Sequence, residues 1–396
     1  MSVSRVGVIG AGTMGRGIAQ VAALGGYATV IHDVAPELAT AGAAALREDL
    51  AKGASRGRWS EEEAEAASNR VETATEIDEL AGCELLVEAA PESVELKRDL
   101  FIRLARTLGP EPVLATNTSS LRVSAIAEGV PAPERVVGMH FFNPPALMRL
   151  VEVVAAERSS EQALAKTTAV AEQMGRTPIR AKDSPGFVAN RLARPFSLES
   201  LRMLEDDVAD VATIDRIVRL GGGFRMGPFE LLDLIGLDVN LEIARSFFRQ
   251  GGEPERWRPS PIQEKLVAEG RLGRKSGRGY HDYGEGREPD PELEIEAPTL
   301  DPEQLAKIDP AAAEVLSRLL AQIANEAAFA LEEEIASPED METAMRLGFN
   351  WPLGPLGFAE LIGPNRAAEL LERLEAEKGA AYAPAPRLRR IISSST

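Results

Sequence analysis

Two residues in the stretch GMHFFNPPALMRLVEVV, residues 138–154, are of types that transfer protons. His140 is one of only three histidines among 396 residues, and Glu152 follows it inside an apolar run. The ordinary pKa of histidine lies near neutrality, so its ring can take or give a proton, and a neighbouring carboxylate fixes its tautomer. The segment between them is long enough for a strand, a turn at NPPA and a return strand. We therefore expect Glu152 to lie beside His140.

A glycine-rich turn near the start of the chain predicts a dinucleotide site. Gly10, Gly12 and Gly15 form GxGxxG between a strand at residues 6–9 and a helix that begins near Thr13. In this pattern the glycines permit a tight turn, a close approach of pyrophosphate and close packing of helix on strand. The phosphates then lie at the positive N-terminus of the helix.

An acid follows the next strand at the spacing that a ribose contact requires. The predicted strand at residues 28–33 ends in Asp33, whose carboxylate can bind a ribose 2′-hydroxyl and would repel a 2′-phosphate. The pattern therefore predicts NAD rather than NADP. The alternative is an ordinary glycine-rich turn followed by a surface aspartate.

Strand-like and helical stretches alternate through the first third of the chain, which indicates a parallel, doubly wound sheet. Further strands are predicted at residues 83–90, 112–119 and 135–142, with helices at residues 92–108 and 120–130. Ligands of such sheets bind beyond the carboxyl ends of the strands. Glu92, Ser119 and His140 fall at or just after these ends, so we expect them on the face that holds the cofactor.

A charged and mostly helical insert at residues 47–65 interrupts this alternation. Lys52, Arg56 and Arg58 form a basic cluster within it, although the chain as a whole carries a net charge of −18. The cluster is either part of a solvated helix pair or a contact for phosphate groups.

Composition excludes several classes of protein. A net charge of −18 would repel nucleic acid, and no apolar run approaches the ~18 residues that cross a bilayer. The single Cys83 leaves no disulfide framework and the N-terminus has no signal-peptide pattern, so we expect a cytoplasmic protein. The three histidines show no metal-ligand spacing, which predicts chemistry without a metal.

The apolar spacing becomes helical after Pro185, and this helical part contains an internal repeat. IDRIVRLGGGFRMGP at residues 214–228 and METAMRLGFNWPLGP at residues 341–355 align without a gap. The alignment extends outward and pairs Arg191 with Arg318, Glu199 with Glu326 and Gly236 with Gly363. We expect an NAD-binding domain at residues 1–184, a first helical domain at 185–283, a linker at 284–300 and a second, degenerate repeat at 301–384.

Four motifs, in order and spacing, closely resemble the L-3-hydroxyacyl-CoA dehydrogenase family, and most of all its bacterial 3-hydroxybutyryl-CoA dehydrogenases. They are TNTSS (116–120), HFFNPPALMRLVEVV (140–154), DSPGFVANRL (183–192) and MGPFELLDLIGLD (226–238). The resemblance implies a Rossmann-type α/β domain followed by helical domains. It also implies reversible, NAD-dependent oxidation of an L-3-hydroxyacyl-CoA with a short acyl chain.

The resemblance also implies the roles of individual residues. His140 matches the catalytic histidine, Glu152 the glutamate that pairs with it, and Ser119 and Asn190 match residues that contact the substrate near its reacting oxygen. Lys52 matches a lysine near the CoA phosphates, and Arg56 is assigned to the same contact. The residues expected to bind NAD are Gly10, Gly12, Thr13, Met14, Gly15, Asp33, Glu92, Lys97 and Asn117.

The chain departs from the family pattern at two places in the first domain, and the second repeat departs from the first. Ala45 replaces a serine that can contact CoA, and Pro91 replaces an aliphatic residue. Ser317 stands at the position of Asn190, so we expect the second repeat to have lost the substrate contact. Because this helical domain serves dimerisation in single-module relatives, the two repeats are expected to form an internal pseudo-dimer, and a homodimer is the alternative.

Two other functions fit parts of the pattern. The same scaffold could oxidise a non-CoA hydroxy acid or sugar acid, in which case the basic cluster would have no phosphate to bind. It could also be a non-catalytic, crystallin-like NAD-binding protein, a role that does not require His140, Glu152, Ser119 and Asn190 together.

Overall fold

The computed structural model of the chain describes residues 3–284 and 310–388. The chain forms two compact units, Met1–Phe187 and Val188–Thr396. The predicted linker at residues 284–300, apart from Gly284, and residues 301–309 of the predicted second repeat lie outside the described residues. Within the described ranges, no helix combines the length and the apolar character needed to cross a membrane.

The first unit is built on one eight-stranded sheet in the order β3-β2-β1-β4-β5-β6-β7-β8. The strands are β1 (Arg5–Ile9), β2 (Ala28–His32), β3 (Val71–Ala74), β4 (Leu85–Glu88), β5 (Val113–Thr116), β6 (Val136–Phe141), β7 (Leu150–Ala155) and β8 (Thr177–Lys182). Neighbouring strands are parallel except for the antiparallel pair β6 and β7. The predicted Rossmann-type α/β class is confirmed.

The strands alternate with helices, as the sequence predicts. The helices of this unit are α1 (Thr13–Leu24), α2 (Pro36–Ser55), α3 (Glu61–Asn69), α4 (Val94–Leu108), α5 (Val123–Ala127) and α6 (Glu161–Gln173). The central strands β4, β5 and β6 are buried along their whole length, which suits their almost continuous apolar sequences. The helical insert is longer than predicted, because α2 begins at Pro36 rather than near residue 47.

The second unit is helical in the residues described, which confirms the predicted helical C-terminal region. Its helices are α7 (Ala189–Leu192), α8 (Arg194–Glu205), α9 (Val211–Gly222), α10 (Pro228–Ile235), α11 (Leu237–Gln250), α12 (Pro261–Ala268), α13 (Pro310–Glu332), α14 (Pro338–Gly348), α15 (Pro355–Ile362) and α16 (Pro364–Lys378). By the internal alignment, α9, α10 and α11 correspond to α14, α15 and α16.

Reciprocal ion pairs join the two halves of the helical unit. Arg191 Nε lies 2.8 Å from Glu326 Oε1, and its repeat equivalent Arg318 Nε lies 2.7 Å from Glu199 Oε1. All four residues are at most 2% exposed. Since Glu326 is the repeat equivalent of Glu199, each arginine binds the equivalent acid of the other half. A reciprocal contact of this kind is the defining feature of a two-fold interface.

Other contacts of the same interface follow the same symmetry. Arg191 also binds Glu333 at 2.7 Å, and Arg318 binds Asp206 at 2.9 Å. Trp257 donates its indole N–H to Glu326 at 3.0 Å, and the Tyr382 hydroxyl donates to Glu199 at 3.3 Å. Each buried glutamate therefore receives an arginine and an aromatic donor, which offsets the cost of burying its charge.

An acid in each half also caps the helix that follows it. Asp215 accepts the backbone N–H groups of Phe229 and Glu230 at 2.8 and 3.1 Å at the start of α10. Its equivalent Glu342 accepts those of Leu356 and Gly357 at 2.7 and 3.3 Å at the start of α15. Both contacts satisfy N–H groups that a helix N-terminus leaves without an internal partner.

The reciprocal interface makes a prediction for stability. Arg318→Met leaves Glu199 buried without its arginine, so we expect the free energy of unfolding to fall by about 3–5 kcal/mol. Urea titration followed by circular dichroism measures the change. Arg245→Met is the control, since it removes an exposed arginine with carboxylates at 2.8 and 2.9 Å and should cost under about 1 kcal/mol. Equal losses in the two variants would contradict a stabilising role for the interface.

Candidate active site

The glycine turn between β1 and α1 has the geometry that a dinucleotide site needs. Gly10 adopts φ +103°, a conformation that favours glycine, and its N–H donates to His32 O at 2.8 Å. A Cβ on Gly15 would lie 1.7 Å from Gly10 O, so helix and turn approach too closely for any side chain there. A Cβ on Gly12 would meet nothing within 4 Å, so this glycine borders open space.

The N-terminus of α1 provides an uncompensated positive end beside this turn. The helix begins at Thr13 after the N-cap Gly12, no side chain caps it, and its first turn contains no acid. Thr13 is exposed and Met14 is partly buried. The free N–H groups and the helix dipole therefore suit the negative charge of a pyrophosphate.

Asp33 is fixed immediately after β2 by two backbone donors. Its carboxylate accepts the N–H of Ala11 at 2.7 Å and the N–H of Val34 at 2.7 Å. Each carboxylate oxygen has a second lone pair, so the group can still accept hydroxyl donors. Asp33 thus links the end of β2 to the glycine turn and presents a fixed anion there.

A buried ion pair lies at the carboxyl end of β4, and only one of its members, Lys97, is among the predicted site residues. Lys97 Nζ lies 2.6 Å from Glu88 Oε1, with both side chains 1% exposed, and 3.3 Å from Glu92. Glu88 also accepts the Thr116 hydroxyl at 2.7 Å. The signal that could have identified Glu88 is an acid as the last residue of an otherwise apolar strand.

Glu92 fixes the turn that contains Ser119. It accepts the hydroxyls of Thr118 and Ser120 at 2.5 and 2.8 Å and the N–H groups of Ser119 and Ser120 at 3.3 and 3.2 Å. Partial burial raises the pKa of Glu92, but the Thr118 hydrogen bond and the charge of Lys97 outweigh it and hold the pKa below its usual value. Glu92 is therefore ionised at neutral pH, and its stabilising effect is lost only as the pH falls through this lowered pKa.

Ser119 is exposed just after β5 and does not cap a helix. The helix predicted from residue 120 begins at Val123, with Arg122 as its N-cap. Asp183 accepts the N–H groups at its start, from Val123 at 3.0 Å and Ser124 at 2.8 Å. Ser119 therefore caps no helix, and its hydroxyl stays available for a ligand.

His140 and Glu152 are paired directly across β6 and β7. The antiparallel register places the two residues opposite one another, and His140 Nδ1 lies 2.6 Å from Glu152 Oε2. The exposed fractions of their side chains are 6% and 0%. The predicted strand, turn and return strand are therefore observed. Because Nδ1 is engaged by Glu152, Nε2 is the ring nitrogen left for a substrate.

Apolar rings and a side-chain amide hold the end of β6 in position. The rings of Phe142 and Phe187 lie 4.7 and 5.7 Å from the His140 ring, centroid to centroid. Asn117, expected to bind the cofactor, accepts the N–H of Phe141 with its Oδ1 at 2.8 Å. The imidazole thus has little rotational freedom and a largely apolar surrounding.

Three further predicted site residues belong to other elements of the chain. Asn190 belongs to the second unit, where it is the second residue of α7 and not its N-cap, which is Val188. Lys52 and Arg56 are exposed at the end of α2, and Lys52 Nζ lies 3.6 Å from Glu48.

A second histidine–acid pair lies in the helical unit, and its nitrogen–oxygen distance is close to that of His140 and Glu152. His281 Nε2 is 2.7 Å from Asp215 Oδ2, and both side chains are buried. Asp215, however, already caps α10, and the His281 N–H donates to Asp233 at 2.8 Å. This pair therefore belongs to the packing of the helical unit.

Comparison with known proteins decides the family. The family model described as 3-hydroxyacyl-CoA dehydrogenase, NAD binding domain, matches residues 5–184. The model of the C-terminal domain of the same family matches residues 186–283 and again residues 315–395. The chain belongs to the 3-hydroxyacyl-CoA dehydrogenase family.

Individual members of this family match over much or all of the chain. The chain is 35% identical to the 3-hydroxyadipyl-CoA dehydrogenase of Escherichia coli K12, covering 96% of this chain and 95% of that protein. It is 40% identical to a probable 3-hydroxybutyryl-CoA dehydrogenase of Deinococcus radiodurans, covering 70% of this chain and all of that one. A crystal structure of 3-hydroxybutyryl-CoA dehydrogenase from E. coli K12 matches with a TM-score of 0.90 at 34% identity, covering 100% and 99% of the two chains.

The family match confirms the predicted class of activity. The chain is an oxidoreductase of the 3-hydroxyacyl-CoA dehydrogenase type with an NAD-binding domain, and the glycine turn described above belongs to that domain. The acyl chain and the roles of individual side chains stay predictions.

The position of Asp33 predicts cofactor preference. Asp33→Ala removes the anion that would repel a 2′-phosphate, so we expect the ratio of kcat/KM with NADH to that with NADPH to fall about tenfold or more, which is ~1.4 kcal/mol. Glu37→Ala removes an exposed acid from the first turn of α2 and is the control. An unchanged ratio in Asp33→Ala would mean that another group recognises the ribose.

Proposed function

We propose that this protein catalyses the reversible, NAD-dependent oxidation of the C3 hydroxyl of an L-3-hydroxyacyl-CoA, with His140 as the general acid and base. The observation that carries the proposal is the buried pair of His140 Nδ1 and Glu152 Oε2 at 2.6 Å. The pair lies at the carboxyl end of β6, in a sheet whose strands β1 and β5 run parallel to β6 and end at the glycine turn and just before Ser119. All three features thus share the edge of the sheet at which such folds bind ligands.

Glu152 sets the proton chemistry of His140. Its carboxylate holds the proton on Nδ1, so neutral His140 presents an unprotonated Nε2 to the alcohol. As the hydroxyl proton moves to Nε2, the ring becomes cationic while it is hydrogen-bonded to an anion that is fully buried. The low local dielectric strengthens this attraction. In the reverse direction Nε2 returns the proton to the developing alkoxide.

The glycine turn, the start of α1, Asp33 and the cluster around Lys97 fit NAD. Gly10, Gly12, Thr13, Met14 and Gly15 would hold the pyrophosphate, Asp33 the adenosine ribose, and Glu92, Lys97 and Asn117 would line the rest of the cofactor site. NAD⁺ bound there supplies the acceptor for the hydride that leaves C3. The aromatic rings around His140 exclude water from the proton-transfer step.

Ser119 and Asn190 are proposed to bind the reacting oxygen. The exposed Ser119 hydroxyl is fixed through its backbone, because Glu92 ties together residues 118–120. A donor held in place in this way can stabilise the developing alkoxide by a few kcal/mol without reorganisation. Asn190 would supply the second donor from the helical unit.

Lys52 and Arg56 are proposed to bind the phosphates of CoA. Both are exposed near the end of α2 on a strongly acidic protein. Arg58 follows them and lines, with Trp59 and Arg176, a cavity of about 310 Å³. A local positive field of this kind attracts a polyphosphate that the rest of the surface repels. A sugar acid or simple hydroxy acid would make no use of it.

The acyl chain is proposed to be short, with 3-hydroxybutyryl-CoA as the reference substrate. Relatives named for a four-carbon acyl group match 70% of the chain in one case and all of it in another, and a relative named for 3-hydroxyadipyl-CoA matches 96% of it. The far end of the acyl chain is thus where members of this family differ.

The two helical repeats are proposed to form an internal pseudo-dimer. Support comes from the double match of the C-terminal family model and from the reciprocal pairs of Arg191 with Glu326 and Arg318 with Glu199.

The proposal predicts the effect of removing the imidazole. His140→Gln should reduce kcat for reduction of acetoacetyl-CoA by roughly 10²–10⁴-fold, because no group of suitable pKa replaces the ring. Loss of NADH absorbance at 340 nm measures turnover, and quenching of protein fluorescence by NADH measures cofactor binding, which should be retained. Turnover near that of the unaltered enzyme would remove His140 from the mechanism.

His281→Gln is the matched control for this experiment. It removes a buried histidine that is paired with an acid at almost the same distance, 2.7 Å, but in the helical unit. We expect lower stability in this variant, with kcat reduced far less than in His140→Gln.

The phosphate contact predicts a difference between two thioesters. In the double variant Lys52→Ala, Arg56→Ala, KM for acetoacetyl-CoA should rise about tenfold or more with little change in kcat, since the cations lie far from C3 along the CoA chain. KM for acetoacetyl-pantetheine, which carries no phosphate, should not respond. Equal effects on both thioesters would contradict the phosphate contact.

A further inference from the structure

Arg194, the first residue of α8, is a buried cation without an acid. It is 7% exposed, and its Nε and Nη1 atoms are buried with no hydrogen-bond partner. No carboxylate among the described residues forms an ion pair with it. Burial lowers the pKa of Arg194 to about 10, so the group still carries its charge at neutral pH. Buried charges are costly unless they are paired.

Two other buried arginines of the helical unit each bind two acids. Arg191, three residues earlier in the chain, binds Glu326 and Glu333, and Arg318 binds Glu199 and Asp206. Arg194 instead rests on an aromatic ring, with Cζ 5.1 Å from the centroid of Phe247. Such stacking covers one face of the guanidinium and leaves its edge N–H groups for a planar anion.

Arg194 lies one helical turn from Asn190. Ala193, between α7 and α8, has helical φ and ψ angles of −78° and −15°. Residues at i and i+4 therefore share a face, with Cβ atoms about 5–6 Å apart. Under the proposed function Asn190 contacts the oxygen on C3 of the acyl chain, so a substrate bound by Asn190 would lie within about one helical turn of Arg194.

The internal repeat allows the surroundings of Asn190 and Phe247 to be compared with those of their equivalents in the second half. Ser317 and Leu374, the equivalents of Asn190 and Phe247, both line a cavity of about 590 Å³ in the second half of the helical unit. Ala321 stands at the position equivalent to Arg194 and is fully buried. The repeat that keeps Asn190 therefore keeps the arginine, and the repeat without Asn190 has a methyl group instead.

We infer that Arg194 binds a carboxylate at the far end of the acyl chain, so that the preferred substrates are 3-hydroxyacyl-CoA thioesters with a terminal carboxyl group. This inference rests on the proposed function. In a six-carbon chain, three carbon–carbon bonds of about 1.5 Å separate C3 from the terminal carboxyl carbon, a length that suits one helical turn plus the reach of an arginine. The planar guanidinium can receive both carboxylate oxygens in parallel hydrogen bonds.

A pair of substrates with equal carbon number tests the inference. The unaltered enzyme should show a kcat/KM for 3-ketoadipyl-CoA roughly 10²-fold or more above that for 3-ketohexanoyl-CoA, because a methyl group leaves the buried cation unpaired. In Arg194→Met this ratio should fall by about the same factor, mainly through KM for the dicarboxylic substrate. Arg194→Lys keeps the positive charge but lacks the planar pair of N–H donors, so it should give an intermediate ratio.

Several outcomes would overturn the inference. One is that the unaltered enzyme shows no preference between the two substrates. Another is that Arg194→Met loses activity on both substrates equally, which is the result expected if the arginine were purely structural. Activity on acetoacetyl-CoA without any preference for the terminal carboxylate would reject this inference alone. Inactivity on all three thioesters would reject the proposed function, and this inference with it.

A measurement on the unaltered protein covers the case in which Arg194 variants do not fold. Adipyl-CoA and hexanoyl-CoA lack the C3 oxygen and are unreactive, so each can compete with acetoacetyl-CoA. We expect the inhibition constant of adipyl-CoA to be lower by about tenfold or more. Equal inhibition constants would contradict the inference.

Discussion

The register between β6 and β7 is the constraint on which the active site depends. Side chains of a strand alternate between the two faces of a sheet, so a slip of one residue would place Val151 or Val153 opposite His140 and turn Glu152 to the other face. Because β7 is buried on both faces from Leu150 to Val154, its apolar side chains would stay buried after such a slip. Glu152, however, would be left in the apolar core without His140, and a buried charge without a partner is costly. The charged pair therefore contributes to the register that positions it.

The protein pairs most of the charges in its interior with acids. His140 has Glu152, Lys97 has Glu88, and the interface arginines Arg191 and Arg318 each have two acids, while the buried Arg135 donates to the carbonyl of Pro112. Each arrangement satisfies a group that would otherwise be costly to desolvate. Against this background an unmatched buried cation such as Arg194 is informative, because perturbed and incompletely satisfied groups concentrate where a ligand completes them.

How far the fold could be predicted depends on where each strand lies in the sheet. The central strands have long apolar runs and were predicted near their observed positions. The edge strands β3 and β8 were not predicted, since β3 exposes its two central residues and β8 contains Pro178 and charged side chains. An edge strand has only one neighbour and less buried surface, so the hydrophobic period that reveals a strand is weak there.

The same distinction applies to the candidate site. The partnership of His140 and Glu152 could be predicted because one hairpin contains both residues. The ion pair of Glu88 and Lys97 could not, since it depends on how α4 packs against β4, and Glu92 was expected only to line the cofactor site. The contact of Glu92 with the Ser119 turn joins the connections that follow β4 and β5. The spacing of motifs along the chain does not show that these two connections are in contact.

The internal repeat separates structural from functional side chains without reference to any other protein. Asp215 and Glu342 both cap a helix, so the acid belongs to the architecture, and the hydrogen bond of Asp215 to His281 is an addition to it. The interface arginines occur in both halves and are architectural in the same sense. Asn190 and Arg194 occur only in the first half. The second half has Ser317 and Ala321 at the equivalent positions, so the module folds without the asparagine and the arginine. The two residues therefore serve a function that only the first half has, and substrate binding is such a function.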